Sequence, residues 1–76
     1  MTKNEIAEII CSIANVEKVD FSESLILSGK LDSFSLLVLI SKLEIKFDLS
    51  INMEGVNNSD FESVNTIHDL LIKNKL

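Results

Sequence analysis

Apolar residues recur at helical spacing through most of the chain, and two polar stretches interrupt them. Over Thr2 to Ala14, Ile6, Ile9, Ile10 and Ile13 follow the i, i+3, i+4, i+7 spacing of one buried face, which predicts a first helix. Thr2 and Glu5 fit a capping box, in which hydroxyl and carboxylate satisfy free N–H groups at the helix start. Asn15 to Asp32 lacks the spacing and predicts a long connection, with Phe21, Leu25 and Leu27 as candidate anchors and Ser28-Gly29 as a turn. A connection of that length is either functional or partly helical.

A second helix is predicted from Ser33 to about Asp48, with Asp32 as its N-cap. Asn52 to Asn58 is polar, holds Gly55 and paired asparagines, and reads as loop. Ser59 and Glu62 suggest a box opening a short third helix around Phe61. Thr66 and Asp69 repeat the pattern for a last helix, with Ile67, Leu70 and Leu71 facing inward. The expectation is an all-α bundle, a single domain over residues 1–76, with three main helices plus a short one and a long loop between the first two. No internal repeat or low-complexity tract is present.

Length and charge narrow the functions available. Seventy-six residues leave no room for a second core, and a hydrophobic fraction of 46% argues against disorder. Asp and Glu outnumber Lys and Arg by 12 to 7, a formal charge of −5, and no basic stripe exists to hold nucleic acid. A basic protein surface is the natural electrostatic complement. Cys11 stands alone, so an internal disulfide and a multi-thiolate zinc site are both excluded; it reads as a partly buried helix residue. Asn4, Glu5 and Glu8 interrupt the N-terminal apolar residues, unlike a signal peptide, and no apolar run approaches the roughly 20 residues of a membrane span. The expectation is a soluble, cytoplasmic protein.

Most catalytic schemes lack their parts. His68 is the only histidine and falls in the last predicted helix, where it reads as solvent-facing. A triad with Ser33 can be drawn, because triads assemble from distant positions, but a chain this short has little room for the cleft and oxyanion hole. Gly29 and Gly55 stand apart, so there is no phosphate-binding glycine loop. Asp20, Glu23 and Asp32 lack the alternating ligands of a calcium loop, and no metal site is expected. The domain is expected to catalyse nothing by itself.

The second helix divides into two apolar faces. At about 100° per residue, Leu36, Leu39, Ile40, Leu43 and Phe47 share one broad face, which is the core side. Phe34, Val38 and Ile45 cluster opposite, with Ser35, Ser41 and Lys42 among them, and predict a docking strip. Of the three, Phe34 is the one the long loop could cover. Ser33 follows the cap at the first turn, where unsatisfied N–H groups and the helix dipole favour a phosphate ester on its hydroxyl.

The run GKLDSFSLLVLISKLEIKFDLSI resembles the phosphopantetheine-attachment region of the acyl carrier protein superfamily. It supplies Gly29, Leu31, Asp32, Ser33, Phe34, Leu37, Ile40, Leu43, Glu44, Phe47, Leu49 and Ile51 at the family's spacing. Ser63, Val64, Ile67 and Leu70 in the tail SDFESVNTIHDLL resemble the family's last segment. The resemblance implies a stand-alone carrier whose Ser33, flanked by Asp32, receives a covalent 4′-phosphopantetheine arm from a phosphopantetheinyl transferase using coenzyme A and magnesium. The arm would carry an acyl or aminoacyl group as a thioester to activating, transferring or condensing enzymes. A carrier must present its arm to several partners, which implies a monomer.

One feature departs from the fatty-acid-synthesis carriers, which place acidic residues along the exposed side of this helix. Here the positions hold Ser35, Val38 and Ile45, with Lys42 and Lys46 nearby. The pattern is closer to aminoacyl, peptidyl or D-alanyl carriers and to specialised acyl carriers, and it implies apolar docking through Phe34, Val38 and Ile45. The alternative is an unmodified helical interaction domain related to carriers.

Overall fold

In the computed structural model, residues 1–76 are described except Met53, Gly55, Leu76 and the side chain of Lys75. The loop expectation for Gly55 therefore lies outside the described residues. The chain forms α1 (Lys3–Ala14), α2 (Ser33–Phe47), a 3-10 turn (Asn58–Phe61) and α3 (Val64–Lys75), and no strand appears among the described residues. α1 packs against both α2 and α3, and the 3-10 turn packs against α3.

Local chemistry sets the ends of α1 and α2. The Thr2 hydroxyl accepts from the Glu5 N–H at 3.1 Å, and the Glu5 carboxylate accepts from the Thr2 N–H at 2.9 Å, which is the expected capping box. Asn15 closes α1 in the left-handed region at φ 57°, and Asp48 closes α2 likewise at φ 51°. Asn and Asp are among the few residues that tolerate this conformation. Beyond Asp48, the Glu44 carboxylate accepts from the Ile51 N–H at 2.8 Å, which brings Ile51 into the core as the chain leaves the helix.

The core is one cluster drawn from every element: Ile6 and Ile10, Leu39, Leu43 and Phe47, Phe61, and Val64, Ile67, Leu70 and Leu71. Ile9, Ile13, Leu36 and Ile40 are half-buried and pack against it, so the two predicted helical faces are the faces that go inward.

The later caps fall elsewhere than expected. Asn57, not Ser59, caps the 3-10 turn, in a box with Asp60. Ser63, not Thr66, begins α3: its hydroxyl accepts from the Thr66 N–H at 3.2 Å and the Thr66 hydroxyl accepts from the Ser63 N–H at 3.0 Å. Glu62 is free for another task. Its carboxylate accepts from the Ser24 hydroxyl, and its carbonyl accepts from the Leu25 N–H at 2.7 Å.

That pair of bonds anchors the long connection at Ser24 and Leu25. Leu25 is fully buried, as expected, but Leu27 is 86% exposed and Phe21 37% exposed, so neither is a core anchor. Val19 and Leu31 take those places. The Leu31 N–H donates to the Leu25 carbonyl at 2.9 Å, closing a tight loop around the Ser28-Gly29 turn. Gly29 sits at φ 82°, a conformation that costs a side-chain-bearing residue energy. This turn delivers Leu31 to the core and Asp32 to the start of α2.

Candidate functional site

Ser33 is the first residue of α2, immediately after the cap. The Asp32 carboxylate accepts from the Ser35 N–H at 2.8 Å, and the Leu36 N–H donates to the Asp32 carbonyl at 2.9 Å. These bonds place the start of the helix at Ser33 and leave its side chain exposed. The Ser35 N–H on its carboxylate holds Asp32 below the ordinary aspartate range, so the acid is ionised at neutral pH.

The serine is framed by apolar groups. Phe34 is 75% exposed, and Leu37, one turn beyond Ser33, is 66% exposed. Ile45 is 82% exposed further along the same side of the helix. Val38 is half-buried between them. The long loop does not cover Phe34. Leu37 also belongs to the strip; it lies on the flank between the two predicted faces, and its i+4 relation to Ser33 is the signal that points to it.

The strip carries little charge. Glu44 is the only carboxylate between Ser33 and Phe47, and it is half-buried and engaged with the Ile51 N–H. Lys42 and Lys46 are exposed. The structure therefore has no acidic face on α2.

A groove of about 220 Å³ adjoins the serine, between the first two turns of α2 and the segment at residues 56–61. Leu36, Ile40 and Phe61 supply apolar lining, and Asn57 and Asn58 supply amides. Asn57 is committed to the cap of the 3-10 turn, while Asn58 is exposed. His68 does not line this groove and is half-buried in α3 rather than fully solvent-facing. Cys11 is half-buried against the core, as expected. Among the described residues, no group of three potential metal ligands converges.

The donor set at Ser33 fits a phosphodiester. A primary hydroxyl stands in solvent at a helix start, where the first-turn N–H groups have no acceptor within the helix and the dipole favours negative charge. The Asp32 charge opposes a second anion nearby, but its carboxylate is turned onto the Ser35 N–H.

A family model described as phosphopantetheine attachment site matches residues 4–71, most of the chain and all of the elements just described except the ends of α1 and α3. A comparison with curated proteins found no match.

Proposed function

The chain belongs to the phosphopantetheine-attachment family, whose domain is the site of covalent 4′-phosphopantetheine attachment, and on that premise we propose that Ser33 is the residue that bears the arm. The supporting observation is the exposed Ser33 hydroxyl at the start of α2, directly after the Asp32 cap. In the attachment step, the Ser33 hydroxyl oxygen forms a bond to the coenzyme A phosphorus nearest the pantetheine. The diphosphate bond breaks, adenosine 3′,5′-bisphosphate leaves, and the serine proton passes to a base on the transferase.

When attached, the arm supplies a terminal thiol that holds an acyl or aminoacyl group as a thioester. The chain's own residues do other work. Asp32 and the first turn hold the anchoring oxygen at a fixed place on a rigid helix. Phe34, Leu37, Val38 and Ile45 form the surface that partner enzymes meet, and tethering raises the local concentration of cargo at each of them. The 76 residues act as one non-catalytic carrier domain, monomeric, in the cytoplasm where coenzyme A is available. The uncharged strip favours aminoacyl, peptidyl or specialised acyl carriers over fatty-acid-synthesis carriers.

The test is the intact mass before and after incubation with coenzyme A, magnesium and a broad-specificity phosphopantetheinyl transferase. One phosphopantetheine per chain is expected, and none on Ser33→Ala. A folded wild-type chain that gains nothing would instead support an unmodified interaction domain.

A further inference from the structure

A second groove lies on different elements. It runs between α1 and residues 17–22 of the long connection, reaches Asn65 at the start of α3, has a volume of about 900 Å³ open to solvent and shares no lining residue with the groove at Ser33. Its α1 wall is Asn4, Ala7, Glu8 and Cys11, a stripe at i, i+3, i+4, i+7 that is roughly 10 Å long.

Part of the lining is apolar: Ala7 and Cys11 are half-buried, Val19 is buried, and Phe21 has over a third of its surface exposed. The Phe21 backbone is fixed, because its carbonyl accepts from the Asn65 N–H at 3.0 Å. An aromatic residue is thus held in place at a groove wall without being packed into the core.

The lining is also acidic on balance: it carries Glu8, Glu17 and Asp20 and a single cation, Lys18. The two ion pairs among the described residues, Met1 amine with Glu5 and Lys30 with Glu23, involve none of these three acids.

We propose that this groove docks a basic amphipathic segment of a partner protein, with an apolar side chain against Ala7, Cys11 and Phe21 and Lys or Arg meeting Glu8, Glu17 and Asp20. Charge complementarity selects the occupant. A second copy of a chain of formal charge −5 would bring acids to an acidic lining, and an acidic segment would be repelled in the same way. The apolar part of the lining asks for more than counter-ions. The surface stands on this groove alone and does not depend on modification of Ser33. Because no lining residue is shared, a partner held here leaves the Ser33 groove open. One protein can hold the chain while another works at Ser33.

The test uses amide chemical shifts of the full chain, titrated with a helical Leu/Lys peptide of about 14 residues that has one apolar face. A Leu/Glu counterpart and a scrambled Leu/Lys peptide without an apolar face are the controls. Saturable shifts at Ala7, Cys11, Val19 and Phe21 are expected with the first peptide and none with the acidic one. Scrambling is expected to weaken Kd by about tenfold, as is the double variant Glu17→Lys, Asp20→Lys. Both substituted residues are exposed, and Glu8→Lys provides an independent variant on α1.

Several results would overturn the proposal: no saturable shift, shifts centred on Phe34, Leu37 and Ile45, equal affinity for the scrambled peptide, or a Kd unmoved by the charge reversals. Shifts at the same amides on raising the protein concentration without peptide would assign the groove to a second copy and overturn it too.

Discussion

The two sides of α2 are built from the same kinds of side chain and meet opposite environments. Leu39 and Leu43 are fully buried in the core cluster, while Phe34, Leu37 and Ile45 stand 66 to 82% exposed one half-turn or so away. Hydrophobicity therefore does not tell the faces apart. Geometry does: the inner face lies within the single core cluster, and the outer face flanks an exposed serine at the helix start. The inner side chains stabilise the fold. The outer ones expose apolar area that the fold does not need, which is what the proposed docking strip requires.

The largest expected effect comes from the inner face. Leu43→Ala should cost about 2–5 kcal/mol, against a total of roughly 5–15 kcal/mol for a domain, and so should move the denaturant midpoint sharply. A small shift would mean that the core closes over the gap and that the inner face matters less than its burial implies. On the outer face, Leu37→Glu with Ile45→Glu should leave stability within about 0.5 kcal/mol of wild type. The same double variant should slow modification of Ser33 by the transferase about tenfold, because a charge replaces apolar contact area. Unchanged kinetics would erase the functional half of the contrast.

A third change sharpens where the faces begin. Gly29→Ala should cost about 1–2 kcal/mol, measured by chemical denaturation, because φ 82° strains an L-residue even though no heavy atom lies within 4 Å of the added methyl. The smallest effect is at the cap. Asp32 has its folded pKa depressed below the ordinary 3.8 by the Ser35 N–H, so its contribution is complete above that value and is lost as pH falls through the folded value. Asp32→Asn, which keeps an acceptor but does not titrate, should remove that part of the acid unfolding below about pH 3.8 seen in a pH series of thermal melts.

What could be read from the residues follows how local the causes are. Thr2 with Glu5 and Asp32 with Ser35 act within one turn, so the starts of α1 and α2 were legible. The caps further along were not, because overlapping candidates compete over Asn57 to Asp69. Ser59 and Glu62 have box spacing, yet Glu62 is taken by Ser24 and Leu25, 38 and 37 residues earlier in the chain. The long connection has no periodicity to show which side chains turn inward. Its path is held by backbone bonds such as Leu25–Glu62 and Leu31–Leu25, and in it Val19, Leu25 and Leu31 are buried while Phe21 and Leu27 are not. For the candidate site, Ser33 and its cap were readable from the short motif, and Phe34 and Ile45 from the helical wheel. Leu37 was not, since exposure on a flank depends on what packs beside it.

A thiol count shows whether the reactive group reaches this chain through Ser33. Cys11 is the only cysteine, so Cys11→Ser gives a chain with no thiol of its own. Incubated with coenzyme A, magnesium and the transferase, then freed of small molecules, that variant should show one thiol per chain, and adding Ser33→Ala should return the count to zero. A folded Cys11→Ser chain that stays at zero, or one that gains a thiol without Ser33, would mean that Ser33 does not bear the arm.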